Sequence, residues 1–198
     1  MILGFWCLFF QGAYSDGTPP QVVENRLENP SDLQLMKLGK WLHMLHGLPC
    51  VCLPKPTFKE RLLELYDRGV KGGMTYSVEV DRAIEEIRHE PRVRRLVPSH
   101  GALSPAAIRV QGERMSFVPG TDFTWDDPYV DLSYFCVTAH LSSAQEKVLL
   151  EGYFTRAPTE EEWETLQQEK EKVNLYHFLY SSLPRKGSFC GGDVGIIL

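Results

Sequence analysis

His100 is followed by Gly101, Ala102 and Leu103, and five residues beyond Ala102 stands Ala107. The spacing is that of a phosphoryl-transfer loop, His-x-Asp-x-x-x-x-Asn, with both reactive side chains cut back to methyl groups. In such a loop the aspartate orients the attacking hydroxyl or accepts its proton, and the asparagine holds magnesium on the phosphates. An alanine does neither. A positioned general base is worth about 10²–10⁴-fold in rate. Losing a metal-binding side chain as well removes part of the hold on magnesium. Residues 99–108 therefore keep a frame for phosphoryl transfer, and the expectation is that the chemistry itself is lost.

Three carboxylates follow within thirty residues. Asp122, Asp126 and Asp127 are weak candidate metal ligands that could take over from the missing groups. The competing reading makes Asp126-Asp127-Pro128 a turn and helix cap, with Asp131 buried against the loop backbone. Turn-forming aspartates are common because they bond their own backbone, which favours the second reading.

The pattern around this loop resembles the choline/ethanolamine kinases and aminoglycoside phosphotransferases, small-molecule kinases of protein-kinase-like fold. His100, Gly101, Leu103, Pro105 and Ile108 match their loop. Trp125-Asp126-Asp127-Pro128-Tyr129-Val130-Asp131-Leu132 resembles the segment leading into their C-terminal helices, and Leu38-Gly39-Lys40-Trp41-Leu42-His43-Met44-Leu45-His46 resembles the helix below their hinge. Leu149-Leu150-Glu151-Gly152-Tyr153-Phe154 and Ala157-Pro158-Thr159-Glu160-Glu161-Glu162 are similar to two later helices. The likeness covers most of residues 20–180.

What the resemblance implies is an α+β, mostly helical C-terminal lobe of a protein-kinase-like fold. A short N-terminal β hairpin would precede it, and a small β hairpin would carry the catalytic-loop region. Pro119 would stand at a third degenerate position, where these kinases have a metal-binding aspartate. His100 would orient the loop backbone. ATP and magnesium would be ligands only if activity survives. An aromatic cage for a small cationic or hydroxyl ligand, held by cation–π attraction, would draw on Trp125 and Tyr153 first, with Trp163, Tyr176 and Tyr180 as further aromatics. Aromatics on such helices are more often core, so the cage reading competes with simple packing. The implied ancestral function is transfer of the ATP γ-phosphate to a small hydroxyl compound such as choline. The present chain reads as an inactive, pseudokinase-like homologue. A living kinase with atypical metal ligands and its N-terminal lobe supplied elsewhere remains open, as does a non-enzymatic interaction module.

No glycine-rich phosphate-covering loop and no strand lysine precede the Leu45-His46 end of the first helix. Residues 1–28 are expected to be remnant N-lobe and hinge strands, 29–184 the helical lobe and 185–198 a flexible tail. The apolar run 1–10 lacks a preceding positive charge and is too short to span a bilayer. With Asp16-Gly17 as a turn and residues 21–27 as the return, it reads as a hairpin. Its open edge would offer a docking strand to a protein partner.

The 198 residues suit one domain, and 43% hydrophobic with 24% charged residues is globular usage. A net charge of −5 gives no reason to expect nucleic acid. The five cysteines are scattered, and Cys50-Val51-Cys52 lacks metal or redox spacing. They read as reduced thiols of a cytoplasmic protein with neither a metal site nor a membrane partner. Gly-x-Ser-x-Gly, dinucleotide-binding and P-loop signatures are absent.

Periodicity and caps predict helices over 29–48, 57–67, 78–88, 130–139, 144–154 and 159–183. Thr159 with Glu162 forms a capping box for the last. His43 and His46 fall on or near the apolar face of the first helix and read as packed or capping residues. Strands are expected at 95–97, 107–110 and 114–118. Arg92, Arg94 and Arg95 read as a solvated rim, and Lys71-Gly72-Gly73 as a break in the chain.

Overall fold

A computed structural model describes residues 25–49, 55–91, 95–111, 114–117 and 123–183. Within them the order is β1 (Asn25–Arg26), α1 (Asp32–His46), α2 (Phe58–Lys71), α3 (Val78–His89), β2 (Val97–Ser99), a 3₁₀ turn (Pro105–Ala107), β3 (Ile108–Gln111), β4 (Arg114–Phe117), β5 (Thr124–Asp126), α4 (Pro128–Thr138), α5 (Ser143–Phe154) and α6 (Glu160–Ser182). The architecture is α+β and mostly helical, as expected. Of the expected N-terminal hairpin only β1 is described; residues 1–24, the tail from 184, Pro119 and Asp122 lie outside the described residues.

Local chemistry explains where the helices begin. Ser31, Thr57, Ser142 and Thr159 each accept the amide of the third residue on, and the side chains of Gln34, Glu60, Gln145 and Glu162 accept the cap residue's own amide in return. Each reciprocal pair satisfies two orphan donors of the first turn. The α3 start uses Ser77 alone, and α4 uses Asp127 with Pro128 in its first turn. Proline costs nothing there, because its missing N–H would have had no partner.

The helices enclose two apolar clusters. One is built on Leu35, Leu38, Trp41, Leu42 and Leu45 of α1 with Leu149 and Leu150 of α5. The other joins Phe58, Leu62 and Leu65 of α2, Ile84 and Ile87 of α3, and Val173 and Leu179 of α6. Helix α4 serves both: Leu132, Phe135 and Cys136 enter the first cluster and Val130 the second. A helix buried on both sides has little need of a polar face. Burial keeps the Cys136 thiol protonated, its pKa pushed up by desolvation.

Helices α1 and α5 meet backbone to backbone. A Cβ on Gly39 would run into the Leu149 carbonyl oxygen and the Tyr153 amide, and one on Gly152 into the backbone of Met36. Two small sheets complete the fold: β1-β3-β4, and the pair β2-β5, both antiparallel. Phe117 of β4 stacks on Trp41 of α1 at 3.4 Å, which seats the β3–β4 hairpin on the first cluster. Among the described residues no helix is long and apolar enough to cross a membrane.

Candidate functional site

The β2-β5 pair positions the loop from both ends. Its register sets Val97 opposite Asp126, Pro98 opposite Trp125 and Ser99 opposite Thr124. Strand β2 therefore delivers His100, while β5 runs directly into α4. Asp131, in the first turn of α4, is fully buried and turns back to the loop. One of its oxygens accepts the His100 amide at 2.7 Å and the other the Gly101 amide at 2.9 Å. Gly101 has φ of +79°, the left-handed region in which a side chain is strained. That turn aims two successive amides at one carboxylate. The Ser99 hydroxyl also accepts from the Gly101 amide at 3.1 Å, and Arg61 of α2 donates to the Gly101 carbonyl at 2.7 Å.

Beneath the loop lies a buried relay of polar groups. His46 Nε2 is 3.3 Å from Asp131 Oδ2, and His46 Nδ1 is 2.9 Å from the Tyr153 hydroxyl. Burial alone would raise the Asp131 pKa. The hydrogen bond and charge of His46, with the His100 amide and ring, outweigh it and hold the carboxyl below its ordinary value. Burial pushes the Tyr153 hydroxyl well above the usual phenol range.

Asp126 belongs to a second anchor. Its Oδ2 accepts the Phe58 amide at the start of α2, and its Oδ1 the Asp127 amide at 2.9 Å. Burial raises its pKa to about 6, against the lowering pull of those two amides and of Arg61. Asp127 caps α4 by accepting the Tyr129 amide at 2.8 Å, and its pKa is also raised by burial. Asp127 thus makes a local cap bond, while Asp126 bonds both the next amide and one 68 residues away in the chain. Among the described residues no group of three His, Cys, Asp or Glu side chains could hold a metal ion.

Ala102 and Ala107 are each half-buried, and Leu103, next to Ala102, is fully buried. The loop is thus packed and hydrogen-bonded, with methyl groups at positions 102 and 107.

The aromatic candidates are dispersed. Trp125 is half-buried on β5. Tyr153 and Trp163 pack in and against the first cluster, with Lys147 Nζ 5.1 Å above the Trp163 ring. Tyr176 packs against the second cluster, 5.3 Å from Phe58, and Tyr180 stacks on it from an exposed position. Arg61 and Ser99 were not singled out from sequence. Forty residues separate Arg61 from the carbonyl it holds, and no local pattern marks such a pairing.

No family model matches the chain, and no curated protein matches it in sequence. Solved structures do match. The fold is similar to that of a choline/ethanolamine kinase family protein from Mesorhizobium loti, with a TM-score of 0.65 and 20% identity over 74% of this chain and 52% of that one. It is similar also to a spectinomycin phosphotransferase in complex with ADP and spectinomycin, at 0.56 and 11% over 85% and 61% of the two chains. An aminoglycoside-3'-phosphotransferase of type VIII matches at 0.53 and 15%, over 80% and 67%. The chain has a protein-kinase-like fold. Its described residues form the mostly helical C-terminal lobe of that kinase-like fold, and the chain spans 52% and 61% of the length of the first two matches.

Proposed function

We propose that this chain is a kinase-like phosphotransferase homologue of the choline and aminoglycoside kinase type that no longer transfers phosphate and acts by binding. The single observation behind this reading is the contrast within one loop. Asp131 holds the His100 and Gly101 amides, Arg61 holds the Gly101 carbonyl, and just beyond these fixed points Ala102 and Ala107 replace the groups that chemistry requires. Phosphoryl transfer depends almost wholly on positioning and on neutralising charge, so a loop lacking its aspartate and asparagine loses most of what the protein contributes. The ancestral substrate class is a small hydroxyl compound such as choline.

The test is a thermal-shift titration of the full chain with ATP and with magnesium, separately and together, alongside a phosphorylation assay on choline and on aminoglycosides. The expected result is no stabilisation that needs both ligands, and no phosphorylated product. A ligand that binds the folded state raises its stability by mass action, so a shift requiring ATP and magnesium together would reveal a surviving nucleotide site. Such a shift accompanied by product would establish a working kinase with atypical metal ligands and overturn the proposal.

A further inference from the structure

The β1-β3-β4 sheet has two unlike faces. Ile108 and Val110 of β3, with Met115 and Phe117 of β4, pack in and against the first apolar cluster. Successive side chains of a strand point to opposite faces, so Arg109, Gln111, Arg114 and Ser116 belong to the other one. The pairing agrees: Arg109 stands opposite Ser116 and Gln111 opposite Arg114, and residues directly opposite share a face. Gln111, Arg114 and Ser116 are exposed and Arg109 is half-buried. Across the other edge of β3, Arg26 holds the register position opposite Arg109.

Arginine positions thus lie on three adjacent strands, with a hydroxyl and an amide beside them and, among the described residues of this face, no carboxylate. Like charges directly opposite one another destabilise a sheet, and an anion laid across them reverses the sign of that effect. Neighbouring strands are about 4.8 Å apart, so the three strands span about 10 Å, the reach of a short chain of linked phosphates. An arginine fork takes phosphate oxygens two at a time. Arg109 Nη1 also donates to the Ala106 carbonyl at 2.7 Å, which ties this face to the 3₁₀ turn. The chain as a whole carries a net charge of −5, so an anion would be drawn by this local field and not by overall charge. We propose that the outer face of the β1-β3-β4 sheet, built on Arg109 and Arg114 with Gln111, Ser116 and the Arg26 position, binds a compact polyphosphate anion without magnesium. The site is separate from positions 102 and 107, so it stands whether or not the loop transfers phosphate.

Isothermal titration calorimetry of the full chain with sodium tripolyphosphate, at low ionic strength and with a chelator to remove magnesium, tests this. The expected result is saturable binding of one anion per chain. Sulfate, a single tetrahedral anion that cannot reach three strands, should bind at least about tenfold more weakly. Arg114→Gln should weaken tripolyphosphate binding about tenfold and leave the circular dichroism unchanged, because the side chain is exposed. Arg109→Gln should weaken it by a similar factor. Lys71→Gln, in the last turn of α2, should change nothing. Absence of binding at millimolar tripolyphosphate overturns the proposal, as does binding that survives Arg109→Gln and Arg114→Gln together. An equal loss in Lys71→Gln also overturns it, since the attraction would then be diffuse. With magnesium removed, failure here is distinct from failure of the phosphotransfer reading.

Discussion

Asp131 accepts the amide of His100 at 2.7 Å from a fully buried position, so the loop is held by its backbone and not by any side chain that would take part in phosphoryl transfer. Shape and chemistry are separable in this arrangement. The carboxylate that fixes the turn lies on α4, outside the loop that carries Ala102 and Ala107.

Removing that carboxylate should therefore be felt as stability. Asp131→Ala leaves the buried His100 amide without its acceptor and takes one partner from the Gly101 amide and from His46, and the expected loss is about 3–5 kcal/mol, summed from about 1–3 kcal/mol for each buried group affected. Asp131→Asn keeps one good acceptor and should lose about 1–3 kcal/mol. Chemical denaturation of both variants checks the order. Equal losses would mean that the hydrogen bonds contribute nothing beyond packing.

The two aspartates respond to pH with opposite sign. The Asp131 pKa is lowered on folding, so its contribution is present above the unfolded carboxylate pKa and lost as pH falls through the folded value. The Asp126 pKa is raised to about 6, so the folded state binds its proton more tightly than the unfolded chain does. Stability from Asp126 is then greatest in acid and declines as pH rises from about 4 to about 6, by up to about 3 kcal/mol. The measurement is the stability of the native chain minus that of Asp126→Asn across this window. That difference should fall as pH rises, and a flat difference would show that burial does not perturb the group.

Arg61 couples the two anchors. Its guanidinium donates to the Gly101 carbonyl and also lowers the Asp126 pKa. Arg61→Met should cost about 1–3 kcal/mol through the lost charged hydrogen bond. It should also move the Asp126 titration to higher pH, because the favourable charge is gone. The second effect separates an electrostatic role from mere packing. Carboxyl chemical shifts followed through the titration would record it.

Gly39 and Gly73 are glycines for different reasons. Gly39→Ala sets a methyl against the backbone of α5, which cannot rotate away, and should cost about 1–3 kcal/mol or more and lower the melting temperature by several degrees. At Gly73 an added Cβ meets nothing within 4 Å, but φ is +87°. Gly73→Ala should thus cost only the backbone strain, about 1–2 kcal/mol. Thermal melts of the two variants compare contact with conformation directly.

Helix α6 shows what was legible beforehand. Thr159 and Glu162 stand three residues apart and form the capping box expected from that spacing. The same signature at Ser31/Gln34, Thr57/Glu60 and Ser142/Gln145 was equally readable. All six expected helices begin within three residues of the observed bounds at Asp32, Phe58, Val78, Pro128, Ser143 and Glu160, α4 opening two residues early at Pro128 with Asp127 as its cap. The β3–β4 hairpin was also anticipated, but β5 was missed and the strand expected at 95–97 lies at Val97–Ser99. A three-residue strand has too few side chains to show a period, and its partner lies about 25 residues away in the chain.

By itself, then, the sequence determined the helices with their caps and the likeness to a kinase-like fold, because caps, apolar periods and motif spacings operate within a few residues. Tertiary structure alone decided that Asp126 anchors α2, that Arg61 reaches Gly101, and that His46 joins Asp131 to Tyr153. Each of these depends on groups 40 or more residues apart finding one another in a space from which water has been removed. In that setting an unmet carboxylate or amide is costly, and its partner is chosen by packing, not by sequence distance.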